Sequence, residues 1–152
     1  MTKQERINVI YKMTQKLAWA RSALVIVMMF CVFSIQRLEQ GSVWYIVGTA
    51  SCLLFISVVL GYESRFAKSL TSKHKAKQII TKQYVYDFAV IPLLIFIYLL
   101  TGRLGVMWLG PVLVIGVIIG FYRIQRKLED QLTRADPEHP IRRDIKLSNV
   151  RD

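Results

Sequence analysis

Two charged side chains in this sequence sit where chemistry is expensive. Arg21 lies in "LAWARSALVIV" at residues 17–27 and Asp87 in "QYVYDFAVIP" at residues 83–92, each at the edge of a run with no other charge, 22–36 and 88–102. An arginine stem can snorkel out of such a run, whereas a carboxylate on one methylene cannot. If the two meet, they form an ion pair that protonation of Asp87 would switch. If they do not, Arg21 is a snorkelling anchor and Asp87 a hydrated residue near a helix start, where the macrodipole favours an anion. The sequence leaves both readings open.

Asp87 also belongs to a pattern. Tyr84, Asp87, Ile91, Leu94, Tyr98 and Thr101 follow three-four spacing, which places four polar groups on one helix face. Such a stripe turns toward a bundle interior, where it lines a pathway or, more commonly, joins helices. Pro92 and Pro111 predict kinks with freed carbonyls. Gly116 and Gly120 in "GVIIG" form a small-residue pair that admits a closely packed helix, from this chain or a second one. Beyond these the chain offers no nucleophile with a base, no paired carboxylates in one span and no phosphate loop. Cys31 and Cys52 have no metal spacing and read as small packing residues, and His74 and His139 read as solvated surface. The expectation is a non-catalytic protein without cofactor or metal.

The elements that must carry these residues follow from the apolar runs. Charge-free stretches cover 22–36, 40–62, 88–102 and 104–122, and a bilayer core asks for about 20 helical residues. The second and fourth suffice alone. A run of fifteen residues reaches only about 22 Å, short of a hydrocarbon core of roughly 30 Å, so the first and third must extend upstream. This draws in Arg21 and Asp87, at the headgroups or just beneath them. The predicted fold is an all-α integral membrane protein, four transmembrane helices near 17–36, 43–61, 83–102 and 105–122 arranged as two antiparallel hairpins. Residues 1–16 read as an interfacial amphipathic segment and 123–152 as a basic cytoplasmic tail.

A net charge of +11 would suit nucleic acid, but the basic residues follow topology instead. Segments 1–16, 62–83 and 123–152 hold four, six and eight Lys or Arg, and the turns around Arg37 and Arg103 hold one each. That bias places both termini and the middle loop in the cytoplasm of a multi-pass protein of the cell membrane, with a bacterial inner membrane the expected setting. A basic leader precedes the first apolar run without a small-residue cleavage site, which reads as an anchor. Trp44, Tyr45 and Trp108 fall at the outer boundary as interfacial aromatics. Lys73, Lys75 and Lys77 are expected to lie against anionic lipid headgroups or a partner. Helical extensions of spans two and three flank them, and a short cytoplasmic helix should run from span four to Pro137 before an extended or disordered tail.

A weak repeat links the halves. Laying residues 16–38 on 82–104 pairs Lys16 with Lys82, Ala23 with Ala89, Phe30 with Phe96, Arg37 with Arg103 and Leu38 with Leu104. Dropping two residues of the first turn then pairs Gly41 with Gly105 and Trp44 with Trp108. Either duplication or the shared constraints of membrane hairpins produces such marks. In this register Arg21 falls opposite Asp87.

The stretch "LAWARSAL", residues 17–24, resembles the opening of the YidH-type (DUF202) membrane domain, with a looser likeness in the basic loop between spans two and three. The chain departs from that pattern in having "KMTQK" before Leu17 and a fourth span. The resemblance implies an anion contact at Arg21, as in relatives that line a polyanion path. From the residues themselves, the leading expectation is an accessory or oligomeric subunit, in outline like toxin immunity proteins, with a protein partner or a second copy and no nucleic acid. The alternative is a small oligomeric transporter or channel, for an anion among other solutes, that uses Arg21, Asp87 and the tyrosines as a polar path.

Overall fold

The computed structural model describes residues 3–37, 42–106 and 108–141. Within them the chain forms four helices and no strand: α1 (Lys3–Arg37), α2 (Ser42–Ser69), α3 (His74–Arg103) and α4 (Leu109–Ala135). All four are long and apolar enough to cross a membrane. At 1.5 Å per residue, the 35 residues of α1 span about 52 Å, well beyond a hydrocarbon core. The excess lies at the N-terminal end, where no Pro or Gly interrupts the helix, so the segment expected to be an interfacial helix feeding the first span is continuous with the first apolar run. Its apolar face is covered by protein: Ile7 and Ile10 are buried. α4 likewise runs unbroken from the fourth span through the expected cytoplasmic helix and stops at Ala135, just before Asp136 and Pro137.

Packing is chiefly α1 on α2 and α3 on α4, with α2 on α3 between them and α1 on α3 more lightly. Met28, Val32, Cys52, Ile56 and Leu60 form one core, against which α3 lays Tyr84, Phe88, Ile91, Ile95 and Leu99. A second core, nearer the α2–α3 connection, joins Ala67, Ala76, Ile80 and Leu132. Glycine and small side chains set the closest approaches. A Cβ on Gly48 would lie 3.0 Å from Cys31 Sγ, and one on Gly110 would lie 3.2 Å from Thr101 Oγ1. Both cysteines are free and buried, in keeping with a packing role.

The α3–α4 connection shows why its sequence turns there. Gly105 has φ +66°, the left-handed conformation that glycine adopts without a Cβ penalty. Gly105 N–H donates to Gly102 C=O at 3.4 Å and Val106 N–H to Thr101 C=O at 3.2 Å, which together close a Schellman cap. Pro92 is inside α3. Pro111 instead occupies the first turn of α4, where its missing N–H has no helical partner to lose, so the reason for a kink there disappears.

Outward faces are apolar. Val112, Leu113, Ile115, Ile118 and Ile119 of α4 are exposed, as are Ile26 and Phe30 of α1 and Leu54, Phe55 and Val58 of α2. An uncovered surface of this extent is untypical of a water-soluble monomer.

Candidate functional site

Between α1, α2 and α3 lies a cavity of about 650 Å³. Thr14, Arg21 and Ser22 of α1, Glu63 of α2, and Tyr84 and Asp87 of α3 supply its polar groups, and Ile10, Val25, Ile56, Leu60 and Ile91 are among its apolar walls. Arg21 and Asp87 are thus brought to one site. The carboxylate seen on Arg21, however, is that of Glu63: Nη1 lies 3.1 Å from Oε2, with the Arg21 side chain 33% exposed and Glu63 only 4%. Asp87 accepts a hydrogen bond from Gln125 Nε2 at 2.8 Å, and the same amide reaches Gln83 C=O at 3.3 Å. Arg21 thus forms an ion pair between α1 and α2, and Asp87, on the same cavity, also joins α3 to α4 through Gln125. Burial of Glu63 with a guanidinium on it follows the rule that buried charge is paired.

The expected polar stripe divides in two. Tyr84 and Asp87 face the cavity. Farther along α3, Thr101 is buried and donates to Ile97 C=O at 2.9 Å within its own helix. Tyr98 is at the edge of exposure, and its backbone carbonyl, not its ring, is the group that α1 reaches, accepting from Gln36 Nε2 at 2.8 Å. A Cβ on Gly102 would overlap the Gln36 amide, so that glycine makes room for the crossing. Gly116 and Gly120 lie elsewhere: a Cβ on either would meet nothing within 4 Å, so they pack no helix of the described chain.

A second polar cluster, unforeseen from the sequence, ties the start of α1 and the segment after α4 to the α2–α3 connection. Pro137 disfavours a helical residue before it, and Asp136 is accordingly extended (φ −145°, ψ 91°). Its carboxylate accepts from Thr71 Oγ1 at 2.6 Å and stands 3.6 Å from Arg6 Nη1 and 3.8 Å from Lys73 Nζ. Arg6 also reaches Glu138 at 3.5 Å. Lys73 is thus a structural contact as well as a surface charge, while Lys75 is exposed and Lys77 partly so. Burial acts to raise the Asp136 pKa, but the Thr71 hydroxyl, Lys73, Arg6 and the Glu138 backbone outweigh it and hold the carboxyl below its usual range.

His139, expected on the solvated surface, is instead 4% exposed, with its backbone N–H donating to Asp136 C=O at 3.1 Å. Desolvation lowers the imidazole pKa and Arg6 adds to that, against the opposing pull of Asp136. Among the described residues Nδ1 has no hydrogen-bond partner, as suits a neutral ring. His74 is exposed, as expected. The tail beyond Ile141, expected to be extended or disordered, falls outside the described residues.

Among the described residues no group of three or more His, Cys, Asp or Glu is placed to hold a metal ion. Comparison of the chain with protein families, with curated proteins and with solved structures returned no match.

Proposed function

We propose that this chain is a non-catalytic integral membrane protein that acts as an accessory or oligomeric subunit. In this reading α1–α2 and α3–α4 are antiparallel hairpins, with both termini and the 70–73 connection in the cytoplasm. The observation that carries the reading is how the polar groups of the apolar helices are used. Arg21 is set against Glu63, Gln125 against Asp87 and Gln36 against the Tyr98 carbonyl, each joining one helix to another. Groups committed to helix contacts act as structural joints. The outward face of α4, with Gly116 and Gly120 on a helix packed chiefly on α3, then offers a second protomer or an unrelated subunit a close approach. The anion contact that the YidH-type resemblance would assign to Arg21 is not needed here.

A second reading, a small oligomeric transporter or channel, rests on the open cavity that Arg21, Glu63 and Asp87 line together with apolar side chains. Purification of the tagged chain from its own membranes separates the two. The accessory role predicts a stoichiometric complex with an unrelated subunit, identified by mass spectrometry, or a defined homo-oligomer without a hydrated axis. A homo-oligomer whose axis is hydrated and whose solute flux is lost in Arg21→Met would support transport. A monodisperse monomer with no partner would contradict both.

A further inference from the structure

Two grooves on opposite helix pairs share a chemistry that the central cavity lacks. The first, about 460 Å³ between α3 and α4, places Lys82 and Lys127 beside Tyr86 over Val85, Ile124 and Leu128. The second, about 420 Å³ between α1 and α2, places Lys12 and Lys16 beside Tyr62 over Met13, Leu17 and Phe66. Among the described residues neither is lined by a carboxylate, although the chain has ten. The central cavity is lined by two. The lysines and tyrosines are exposed. Lys16 and Lys82 also hold the same place when residues 16–38 are laid on 82–104, so each helix pair carries one groove at the start of its first apolar run.

We propose that each groove is a binding site for one anionic phospholipid, the phosphate held by the lysine pair and an acyl chain lying on the apolar wall. This rests on the membrane reading above and sharpens its lipid partner from a diffuse surface charge at Lys73, Lys75 and Lys77 to two defined sites. Three physical requirements converge on the same residues. Two ammonium groups on a groove whose described lining holds no carboxylate suit a phosphate diester. A long lysine stem lies along apolar surface while its head stays at the headgroup level. Tyrosine favours that same boundary, and basic pockets between spanning helices on the cytoplasmic side are suited to anionic headgroups.

The test uses the full chain in a neutral maltoside detergent, with native mass spectrometry counting retained lipid after addition of phosphatidylglycerol or phosphatidylcholine of identical acyl chains. The wild type is expected to retain two phosphatidylglycerols and to discriminate against phosphatidylcholine about tenfold, because the choline cation neutralises the phosphate it is joined to and is repelled by the lysine pair. Lys82→Gln/Lys127→Gln should retain one, Lys12→Gln/Lys16→Gln the other, and the fourfold variant none. Lys73→Gln/Lys75→Gln/Lys77→Gln should still retain two. The groove lysines are exposed, and elution at the wild-type volume verifies folding of each variant. Unchanged retention in the fourfold variant, equal retention of phosphatidylcholine, or full displacement by glycerol phosphate would overturn the proposal. Because the count is made in detergent, it is independent of orientation: a chain inserted the other way would defeat the topology and leave the two grooves to be judged on the lipid count.

Discussion

Arg21→Met is expected to destabilise the chain by about 2–3 kcal/mol, because it removes the guanidinium that stands 3.1 Å from the Glu63 carboxylate, itself only 4% exposed. Removing one partner of a fully buried pair costs about 3–5 kcal/mol, and the partial exposure of Arg21 reduces that figure. Glu63→Leu should cost less, since the freed guanidinium can move toward the headgroups. The double variant Arg21→Met/Glu63→Leu should recover most of the loss, giving a coupling of about 2 kcal/mol. Reversible unfolding in mixed micelles measures all four corners of the cycle. The companion cycle with Asp87→Leu is expected to show a smaller coupling, since Asp87 is tied to Gln125 at 2.8 Å. Additive losses in the Glu63 cycle would remove the pair from the account.

Asp136→Ala should release the C-terminal segment from the bundle, at about 2–4 kcal/mol, because it removes the acceptor of the Thr71 hydroxyl and the anion beside Arg6, whose side chain is 15% exposed. Hydrogen exchange over residues 132–141 reports the release, and unchanged protection would show that the cluster does not hold the tail. Acid should act on the same segment in two stages. The docked imidazole of His139 binds a proton less readily than a free one. The released tail therefore takes up the proton first, and docking is full above about pH 6.5 and weakens as pH falls from there toward the depressed docked value. The Asp136 carboxyl is also depressed, so its contribution stands above about pH 4 and is lost as pH falls through its own docked value. His139→Gln should abolish the first stage and keep the second.

The four helices and their approximate spans can be read from the sequence because each depends on a local property, the length of an apolar run. The partners cannot. Which side chain meets Arg21 depends on the rotation of α2 about its axis, and one residue of helix turns a side chain by about 100°. Glu63 follows directly on the charge-free run 40–62, in the helical extension expected beyond the second run, but only the rotation of α2, which continues to Ser69, turns it into the bundle. Gln125, two residues past Arg123, lies in the helical continuation expected after the fourth run, but which neighbour it meets depends likewise on the rotation of α4. The Asp136 cluster is less accessible still, since Arg6 and Glu138 are separated by 132 positions and no periodicity links them. Pro111 shows the converse error, in which the residue type is informative but its position within the helix decides the effect.

The central claim is a four-span chain with its basic segments on the cytoplasmic side, and cysteine accessibility in intact cells tests it most directly. In a Cys31→Ala/Cys52→Ala background, single cysteines replace Leu104 in the α3–α4 connection and Ser72 in the α2–α3 connection, both exposed. The account predicts that Leu104→Cys reacts with a membrane-impermeant maleimide from outside, whereas Ser72→Cys reacts only after the membrane is opened. Labelling of Ser72→Cys from outside, with Leu104→Cys shielded until the membrane is opened, would contradict it.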